Sequence, residues 1–463
     1  MKNSAAKKLK QVPIGYLTVG IDPHKRRHAG VAIAEDLTVR TKFKFMNSKS
    51  GFDEALGKCR SEMIRSGLRG VIFAIETGGH YWRNFAYFLE ERGIPFRLIS
   101  QLTLKRMRDG RDINRRKNDF RDAEMAAGVL RMGDFTETKL PQGIYADLRS
   151  AYSAYFRLSK EKSRMVNLMK GLLDGLFPEF AQVFKNPCCR NALAVLSICP
   201  SPAVISSTKE EIFVQMIRAR LQGRLMIKKL RALHQAAQTS VGVKSGADSV
   251  SLEVSLLVGR YSLIEQQMDR LVKKLIELVD KTDEGKYIRS IPGINYLSAA
   301  ALLAELGPVN SYHNPKQLIK MAGTNPIESE SGGKRHGPTP MSKKGRPRLR
   351  YGAWTAIIPL FRHNPDFRAW AKRLRERPIQ SNPLNGKEVI GAALNRLLRL
   401  VFFLVKKQEF YCLPQQVVII NQKEKNRIRA GGETPDKLLG LRIIDTRKPA
   451  SHHGVPAPLA QPG

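Results

Sequence analysis

The stretch YLTVGID, residues 16–22, is an apolar run that ends in an acid. A second run of the same kind, GVIFAIE, covers residues 70–76 and also ends in an acid. Short apolar runs bounded by turn residues are typical of buried strands. A carboxylate at the end of a buried strand is poorly solvated, so its charge must be compensated. We therefore expect Asp22 and Glu76 to be functional residues at one edge of a sheet.

Around these two runs the pattern predicts three strands in succession, followed by alternating helices and strands. Such an order gives a mixed sheet with helices on both faces. It is the element order of the α/β ribonuclease H-like fold. The predicted segments are strands 16–21, 29–35 and 37–45, helix 51–67, strand 70–76, helix 80–93, strand 95–100, a basic loop, and a helix from 118 to about 133.

Two further acids, Asp119 and Asp122, lie three residues apart and therefore share one face of the last helix. In the predicted strand order the strands that end at Asp22 and Glu76 are neighbours, so four carboxylates would converge. Hard oxygen ligands suit Mg²⁺ or Mn²⁺, and paired ions of this kind cleave phosphodiesters. Each acid alone could instead be a helix cap or a solvated charge. Glu124 is interpreted as a solvated neighbour.

The charge balance favours a polyanionic partner. Lys and Arg number 79 against 41 Asp and Glu, which gives a net charge of +38 and a pI near 10.3. Nucleic acid is the usual partner of such a chain, and the alternative is an unusually basic protein with no such partner.

A membrane protein is not expected. The apolar stretch 397–405 is far shorter than the ~20 residues of a span, and the basic N-terminus lacks the apolar core of a secretory signal. The 5 cysteines fit no zinc pattern and are expected to be reduced thiols in a cytoplasmic, nucleoid-associated bacterial protein.

Basic residues gather in two segments, one just before Asp119 and one between Glu328 and Arg350. Either segment could be only a solvated, charged surface. Their positions, beside the acids and around Ser331, favour segments that neutralise nucleic-acid phosphates. The predicted nucleic-acid-binding residues are Lys105, Arg106, Arg108, Arg111, Arg115, Arg116, Lys117, Lys334, Arg335, Lys343, Lys344, Arg346, Arg348 and Arg350.

Ser331 precedes two glycines within the second basic segment. Glycines let a bulky phosphate approach the hydroxyl, and clustered guanidinium groups could stabilise a pentavalent phosphate. A serine nucleophile also needs activation. The alternative is that the SGGK sequence is an ordinary flexible loop.

The rest of the chain is predicted to be mainly helical. Two long stripes of apolar residues, within 144–176 (broken at Lys162) and 250–278, indicate coiled-coil or helix-hairpin seams that could pair with each other or with a second subunit. Residues 287–325 are typical of a helix-hairpin-helix element or of an ordinary packing unit. We predict four regions: a ribonuclease H-like α/β domain at 14–140, a coiled-coil and helical region at 141–285, a mainly helical domain that contains Ser331 at 286–405, and a disordered basic tail at 413–463.

The motifs carrying these groups resemble one family of insertion-sequence transposases. The family joins a Holliday-junction-resolvase-like (RuvC-like) DEDD domain to a serine-containing C-terminal transposase domain, and it includes the Piv-type DNA invertases. The resemblance covers about residues 14–135 and 285–400. It rests on GIDPHK (20–25), IET (75–77), NDFRDA (118–123), IPGINYLSAAALLAELG (291–307), NPKQLIKMAGTNP (314–326) and SESGGKRHGPTPMSKKGRPRLR (329–350).

The resemblance implies a recombinase whose serine attacks the scissile phosphate and becomes linked to the DNA 5′ end. By position, Ser331 would be the nucleophile, with Ser329 as its nearest rival. The implied metal ligands for Mg²⁺ or Mn²⁺ are Asp22, Glu76, Asp119 and Asp122. The implied partners are donor and target DNA, an element-encoded guide (bridge-type) RNA, and further copies of the chain in a dimer or tetramer.

The chain departs from the family pattern in three places. Asn118 follows Lys117 where the family often has threonine, Pro338 and Pro340 are extra prolines, and the extension past residue 413 has no counterpart. Two rival functions stay open: a metal-dependent junction nuclease that uses only the acids, and a nucleic-acid-binding protein with structural acids. A sugar-kinase-like or chaperone-like ATPase is disfavoured because the second phosphate-binding glycine loop is missing.

Overall fold

A computed structural model describes residues 8, 11–111, 118–135, 140–221, 223–327, 330–331, 334–335, 340–378 and 383–413. The chain divides into two compact units, Met1–Arg149 and Ser150–Gly463, each with its own core. Three predicted phosphate-binding residues, Arg115, Arg116 and Lys117, lie outside the described residues, and so does the predicted tail from residue 414 onward.

The first unit is built on one five-stranded mixed sheet. The strand order is β3-β2-β1-β4-β5, in which β1 to β3 are antiparallel neighbours and β1, β4 and β5 run parallel. The elements are β1 Tyr16–Asp22, β2 Arg27–Ile33, β3 Val39–Met46, α1 Lys49–Arg65, β4 Gly70–Glu76, α2 Trp82–Glu91, β5 Phe96–Ile99, α3 Gln101–Arg111 and α4 Asp119–Arg131.

This architecture is the mixed sheet that the sequence predicts, and it is consistent with a ribonuclease H-like domain. The predicted helices and strands between 16 and 133 are all present, with ends that differ by a few residues. One interpretation was wrong: residues 101–111, expected as part of a basic loop, form helix α3. The reason is an amphipathic pattern within the basic run, since Leu104 is buried and Met107 packs against the same core.

Separate hydrophobic clusters cover the two faces of the sheet. Helices α1 and α2 pack with the aromatic cluster that includes Phe45, Phe52 and Phe85, whereas α4 lies over β1 on the other side. The α4 backbone approaches β1 so closely that a Cβ added at Gly20 would lie 1.7 Å from the carbonyl oxygen of Ala123. Gly20 is therefore what allows the helix that carries two acids to rest directly on the first strand.

Replacing Gly20 with alanine is expected to lower the free energy of unfolding by about 3 kcal/mol or more, because backbone cannot move aside as a side chain can. A thermal or urea denaturation measures this. Gly57→Ala is the matched control, since nothing lies within 4 Å of its added Cβ inside α1. It should be neutral or stabilise the unit by about 0.5–1 kcal/mol. Equal melting curves for the two variants would contradict the packing described for Gly20.

The second unit is helical, and helix α5 enters it from the first unit. Its elements are α5 Gly143–Leu176, α6 Phe180–Val183, α7 Arg190–Ile198, α8 Pro202–Ser206, α9 Glu210–Arg220, α10 Ile227–Gln238, α11 Ala247–Asp280, α12 Asp283–Arg289, α13 Tyr296–Leu306, a 3₁₀ turn Val309–Ser311, α14 Pro315–Ala322, β6 Glu330–Ser331, β7 Lys334–Arg335, α15 Pro347–His363, α16 Pro365–Arg375 and α17 Gly386–Lys407.

The two long predicted helices, α5 and α11, pair with each other within the chain. Their apolar residues join one cluster, and Val243 N–H donates to Gly175 O at 3.0 Å, so the helices run antiparallel. Lys162, the break in the first apolar stripe, donates to Glu265 Oε1 at 2.7 Å and lies over the ring of Tyr261. The break is thus a polar contact between the paired helices.

The turn at Gly293, predicted as part of a possible phosphate-binding hairpin, is packed against protein. Gly293 has φ +97°, and a Cβ there would lie 2.7 Å from Leu360 Cα on α15. This close approach favours the ordinary packing unit over a glycine turn that is open to phosphate. Among the described residues, no helix is long and apolar enough to cross a bilayer.

Candidate active site

Asp22 and Glu76 lie side by side because β1 and β4 are parallel neighbours in register. Ile21 pairs with Ile75, so the two acids that follow stand next to each other at the carboxyl edge of the sheet. Their exposed fractions are only 7% and 8%. Both positions agree with the prediction from the two apolar runs.

Helix α4 brings the other two acids to the same edge. Asn118 caps the helix by accepting a hydrogen bond from Phe120 N–H at 3.0 Å, which places Asp119 and Asp122 in the first turn. Carboxylates are favoured there by the helix dipole. Asp122 points into the sheet and is 2% exposed, whereas the Asp119 side chain is 42% exposed.

The four acids form two overlapping groups. In the first, one oxygen each from Asp22, Glu76 and Asp122 lie within 4.8 Å of one another, and all three residues are buried. In the second, Asp22 and Asp119 are joined by His24 within the same limit. Three buried carboxylates at this separation repel one another strongly unless a cation lies among them. The oxygen donors therefore fit a hard divalent ion.

Arg108 supplies positive charge to the buried group. It was predicted as a phosphate-binding residue of a loop, but it lies on α3, and its Nη2 donates to Asp122 Oδ1 at 2.6 Å. The neighbouring predicted residues Lys105 and Arg106 are exposed on the same helix. Arg108 therefore compensates a buried acid, while its neighbours face solvent.

Replacing Arg108 with glutamine is expected to destabilise the metal-free protein by about 3 kcal/mol, because one partner of a buried ion pair would be left uncompensated. The affinity for Mn²⁺ should rise about tenfold (about 1.4 kcal/mol), since a competing cation has been removed. Thermal melts with and without Mn²⁺ test both effects, and Arg106→Gln is the exposed control on the same helix. If Mn²⁺ protects both variants equally, Arg108 does not compete for Asp122.

Sequence reasoning missed two residues beside Asp119. His24 Nε2 lies 3.2 Å from Asp22 Oδ2 and 3.4 Å from Asp119 Oδ1. Lys44 Nζ lies 3.7 Å from Asp119 Oδ2 and over the ring of Phe120. The available signal was spacing: His24 follows Asp22 by two residues, and Lys44 lies between Phe43 and Phe45, so it points to the opposite face of the sheet from these two rings.

His28 fixes the turn that carries His24. It is fully buried among Phe45, Phe52 and Phe85, and burial lowers its pKa from 6.5 to about 4. The ring is therefore neutral at pH 7, and its Nδ1 accepts the main-chain N–H of His24 at 3.0 Å. Glu124, interpreted as a solvated neighbour, is partly exposed, and its Oε2 lies 3.7 Å from Lys42 Nζ.

The segment around Ser331 contains a structure that the sequence analysis did not predict. Glu330–Ser331 and Lys334–Arg335 form a two-stranded antiparallel ladder in which Ser331 pairs with Lys334. In the sequence, Gly332 and Gly333 separate these two strands. Ser331 therefore belongs to a strand end beside a two-glycine connection.

Between residues 340 and 350, where the structure describes the side chains, the predicted phosphate-binding residues divide into two kinds. Lys343 and Lys344 are exposed. Arg346 donates to Glu305 O, Arg348 to Ser153 Oγ, and Arg350 to Ala322 O at 2.9 Å. The three arginines thus hold the end of the segment against the surrounding helices, and the two lysines are the cations most accessible to a polyanion.

Comparisons with known proteins match both halves of the chain. A model of the DEDD transposase domain of the IS110 type, described as a transposase, matches residues 19–178. A second, described as the transposase IS116/IS110/IS902 family, matches residues 285–372. The chain belongs to the IS110 family of DEDD transposases.

Three relatives in bacterial insertion elements are similar to this transposase over most of its length. An uncharacterized 44.8 kDa protein of IS116 from Streptomyces clavuligerus is 24% identical, over 73% of this chain and 84% of the relative. The mini-circle putative transposase for IS117 from Streptomyces coelicolor is 24% identical, over 68% and 77%. The transposase for IS1111A from Coxiella burnetii is 22% identical, over 74% and 78%.

Family membership and the acidic cluster both indicate a metal-dependent enzyme that acts on DNA. The transposase is an enzyme of DNA recombination that acts on DNA, and its DEDD domain uses divalent metal. Asp22, Glu76 and Asp122 offer buried oxygen donors for such an ion, and Asp119 lies at the exposed rim.

Proposed function

We propose that this transposase cuts and rejoins DNA through a covalent 5′-phosphoserine intermediate on Ser331, assisted by the acidic cluster. The observation that carries the proposal is the buried group Asp22, Glu76 and Asp122 in a chain whose second half matches the transposase model across the serine segment. The antiparallel pairing of Ser331 with Lys334 and the exposed Lys343 and Lys344 give further support.

The serine step is a transesterification. The Ser331 hydroxyl attacks the scissile phosphorus, an Oγ–P bond forms to the DNA 5′ end, and the bond from phosphorus to the 3′ oxygen breaks. The hydroxyl proton is lost from the serine, and the departing 3′ oxygen gains one. The number of phosphodiester bonds is unchanged, so rejoining by the reverse reaction needs no nucleotide cofactor.

The acids would bind the divalent ion that assists this step. Asp22, Glu76 and Asp122 would hold Mg²⁺ or Mn²⁺, with Asp119 completing the set. Such an ion, when bound, would stabilise charge on the phosphate oxygens. In the absence of metal, Arg108 compensates the charge of Asp122, and Lys44 forms an ion pair with Asp119. Lys105 and Arg106, exposed on α3, would contact the DNA backbone.

The proposed partners are donor DNA, target DNA and a guide RNA encoded by the element itself. A net charge of +38 can neutralise part of such a large polyanionic assembly. The active assembly would contain two or four copies of the chain. The guide RNA and the copy number rest on resemblance to the family.

Sequencing the nucleic acid that co-purifies with the full-length protein tests the guide directly. We expect one structured RNA from a non-coding end of the element that encodes this chain. Random cellular fragments, removable by a salt wash, would exclude a guide and leave only non-specific charge attraction.

A further inference from the structure

The imidazole of His24 lies between two of the acids. Its Nε2 is 3.2 Å from Asp22 Oδ2 and 3.4 Å from Asp119 Oδ1. That nitrogen is buried and has no hydrogen-bond partner among the described residues, although the ring is 45% exposed. We propose that His24 is a nitrogen ligand of a second divalent-ion subsite, formed with Asp22 and Asp119.

The two subsites would share one carboxylate. Asp22 belongs both to the buried group with Glu76 and Asp122 and to the outer group with His24 and Asp119. A carboxylate has two oxygens and can bridge two ions about 4 Å apart, which is the spacing used in two-metal phosphodiester chemistry. The inner subsite is made of oxygen donors and is closed to solvent, whereas the outer one has a nitrogen donor and an open side toward a substrate.

The distances fit ligation better than a simple ion pair. Charge-assisted hydrogen bonds from nitrogen to carboxylate are about 2.7–2.9 Å long, shorter than either His24 distance. Donor atoms that surround one ion at about 2.1 Å, in contrast, lie about 3 Å from one another. Lys44 already supplies a cation to Asp119 at 3.7 Å, so a positive imidazole is not required there.

The main chain holds His24 in this position without the metal. Its N–H donates to Nδ1 of His28 at 3.0 Å, and His28 is fully buried with its ring stacked on Phe52 at 5.9 Å. Pro23, which lies between Asp22 and His24, restricts the backbone further. The imidazole is therefore positioned by a fixed turn. Metal-binding histidines are commonly held in place by neighbouring groups in this way.

A nitrogen donor changes which ion the outer subsite prefers. Imidazole suits transition-metal ions such as Zn²⁺ and Ni²⁺, and Mn²⁺, although it also favours oxygen, accepts a nitrogen ligand more readily than Mg²⁺ does. The inner subsite should accept Mg²⁺ or Mn²⁺, whereas the outer one should fill readily with Mn²⁺ and poorly with Mg²⁺. This inference rests on divalent-metal use by the acidic cluster, and it is independent of the serine chemistry.

Pulsed electron paramagnetic resonance on the full-length, chelator-treated protein titrated with Mn²⁺ tests the proposal. The wild type should bind two Mn²⁺ ions and show ¹⁴N coupling from a coordinated imidazole. His24→Gln should bind one ion with no ¹⁴N coupling. His313→Gln, a change at an exposed histidine in the other unit, is the control and should match the wild type. A thermal melt of each variant verifies folding.

Three outcomes would overturn the assignment of His24. The first is a wild-type Mn²⁺ signal without ¹⁴N coupling, which would mean that all the ligands are oxygens. The second is unchanged coupling and stoichiometry in His24→Gln, which would place the nitrogen elsewhere. The third is no bound Mn²⁺ at all, which would remove the metal premise itself. A covalent serine–DNA linkage would still be measurable in each case, so the two proposals fail separately.

Discussion

Asp22→Asn is expected to abolish metal-dependent DNA cleavage, with a loss of at least about a thousandfold, because metal-ion stabilisation is worth several kcal/mol and each 1.36 kcal/mol is tenfold in rate. Asp22 is the acid shared by the buried group and the outer group, so its loss should weaken every ion at the site. Cleavage rates and Mn²⁺ binding, measured on the same preparation, should fall together.

The same variant should fold at least as stably as the wild type when metal is absent. Removing one charge from three closely spaced buried carboxylates relieves repulsion, so the melting temperature without metal should stay equal or rise. Glu124→Gln is the control, because Glu124 lies on α4 close to Asp122 in sequence but pairs with Lys42 outside the cluster. Cleavage by Asp22→Asn at the wild-type rate would exclude the acidic cluster as the metal centre.

Ser331→Ala is expected to eliminate both strand exchange and any covalent protein–DNA species. The reason is that alanine lacks the oxygen that would accept the phosphoryl group. The acidic cluster is in the other unit and should keep its metal affinity, so Mn²⁺ binding should be unchanged. Denaturing gels with end-labelled DNA measure the covalent species, and calorimetry measures the metal.

Ser329→Ala is the control for this result, since Ser329 is the other serine in the segment. It should retain most of the recombination activity. If strand exchange survives Ser331→Ala while Asp22→Asn abolishes cutting, the chain would be a metal-dependent nuclease that uses the acids alone. If Ser329→Ala fails and Ser331→Ala works, the nucleophile would have been assigned to the wrong serine.

The sheet and its acids could be predicted because each depends on local sequence. Two apolar runs that end in Asp22 and Glu76 predict adjacent strand ends, and the spacing of Asp119 and Asp122 predicts one helix face. The structure brings Asp22, Glu76 and Asp122 within one cluster, as that argument requires. Asp119 is not part of that buried group; it lies near Asp22 at the exposed rim, where it also meets His24 and Lys44.

Other features depend on contacts that local patterns do not encode. His24 reaches the cluster because a buried histidine four residues later holds its backbone. Arg108 was interpreted as part of a basic loop because the charged residues dominate this segment. The spacing of its apolar residues, which makes α3 a helix, was overlooked. The ladder at Ser331 was missed because its strands are only two residues long.

Peptide mapping of a trapped reaction would test the serine mechanism most directly. The protein would be reacted with a nicked suicide DNA from which the short strand bearing the released 3′-hydroxyl diffuses away, then digested and analysed by mass spectrometry. We expect a nucleotide attached through its 5′ phosphate to the peptide that contains Ser331. Free 3′-hydroxyl and 5′-phosphate ends with no linked peptide, or a nucleotide on another residue, would contradict the proposed mechanism.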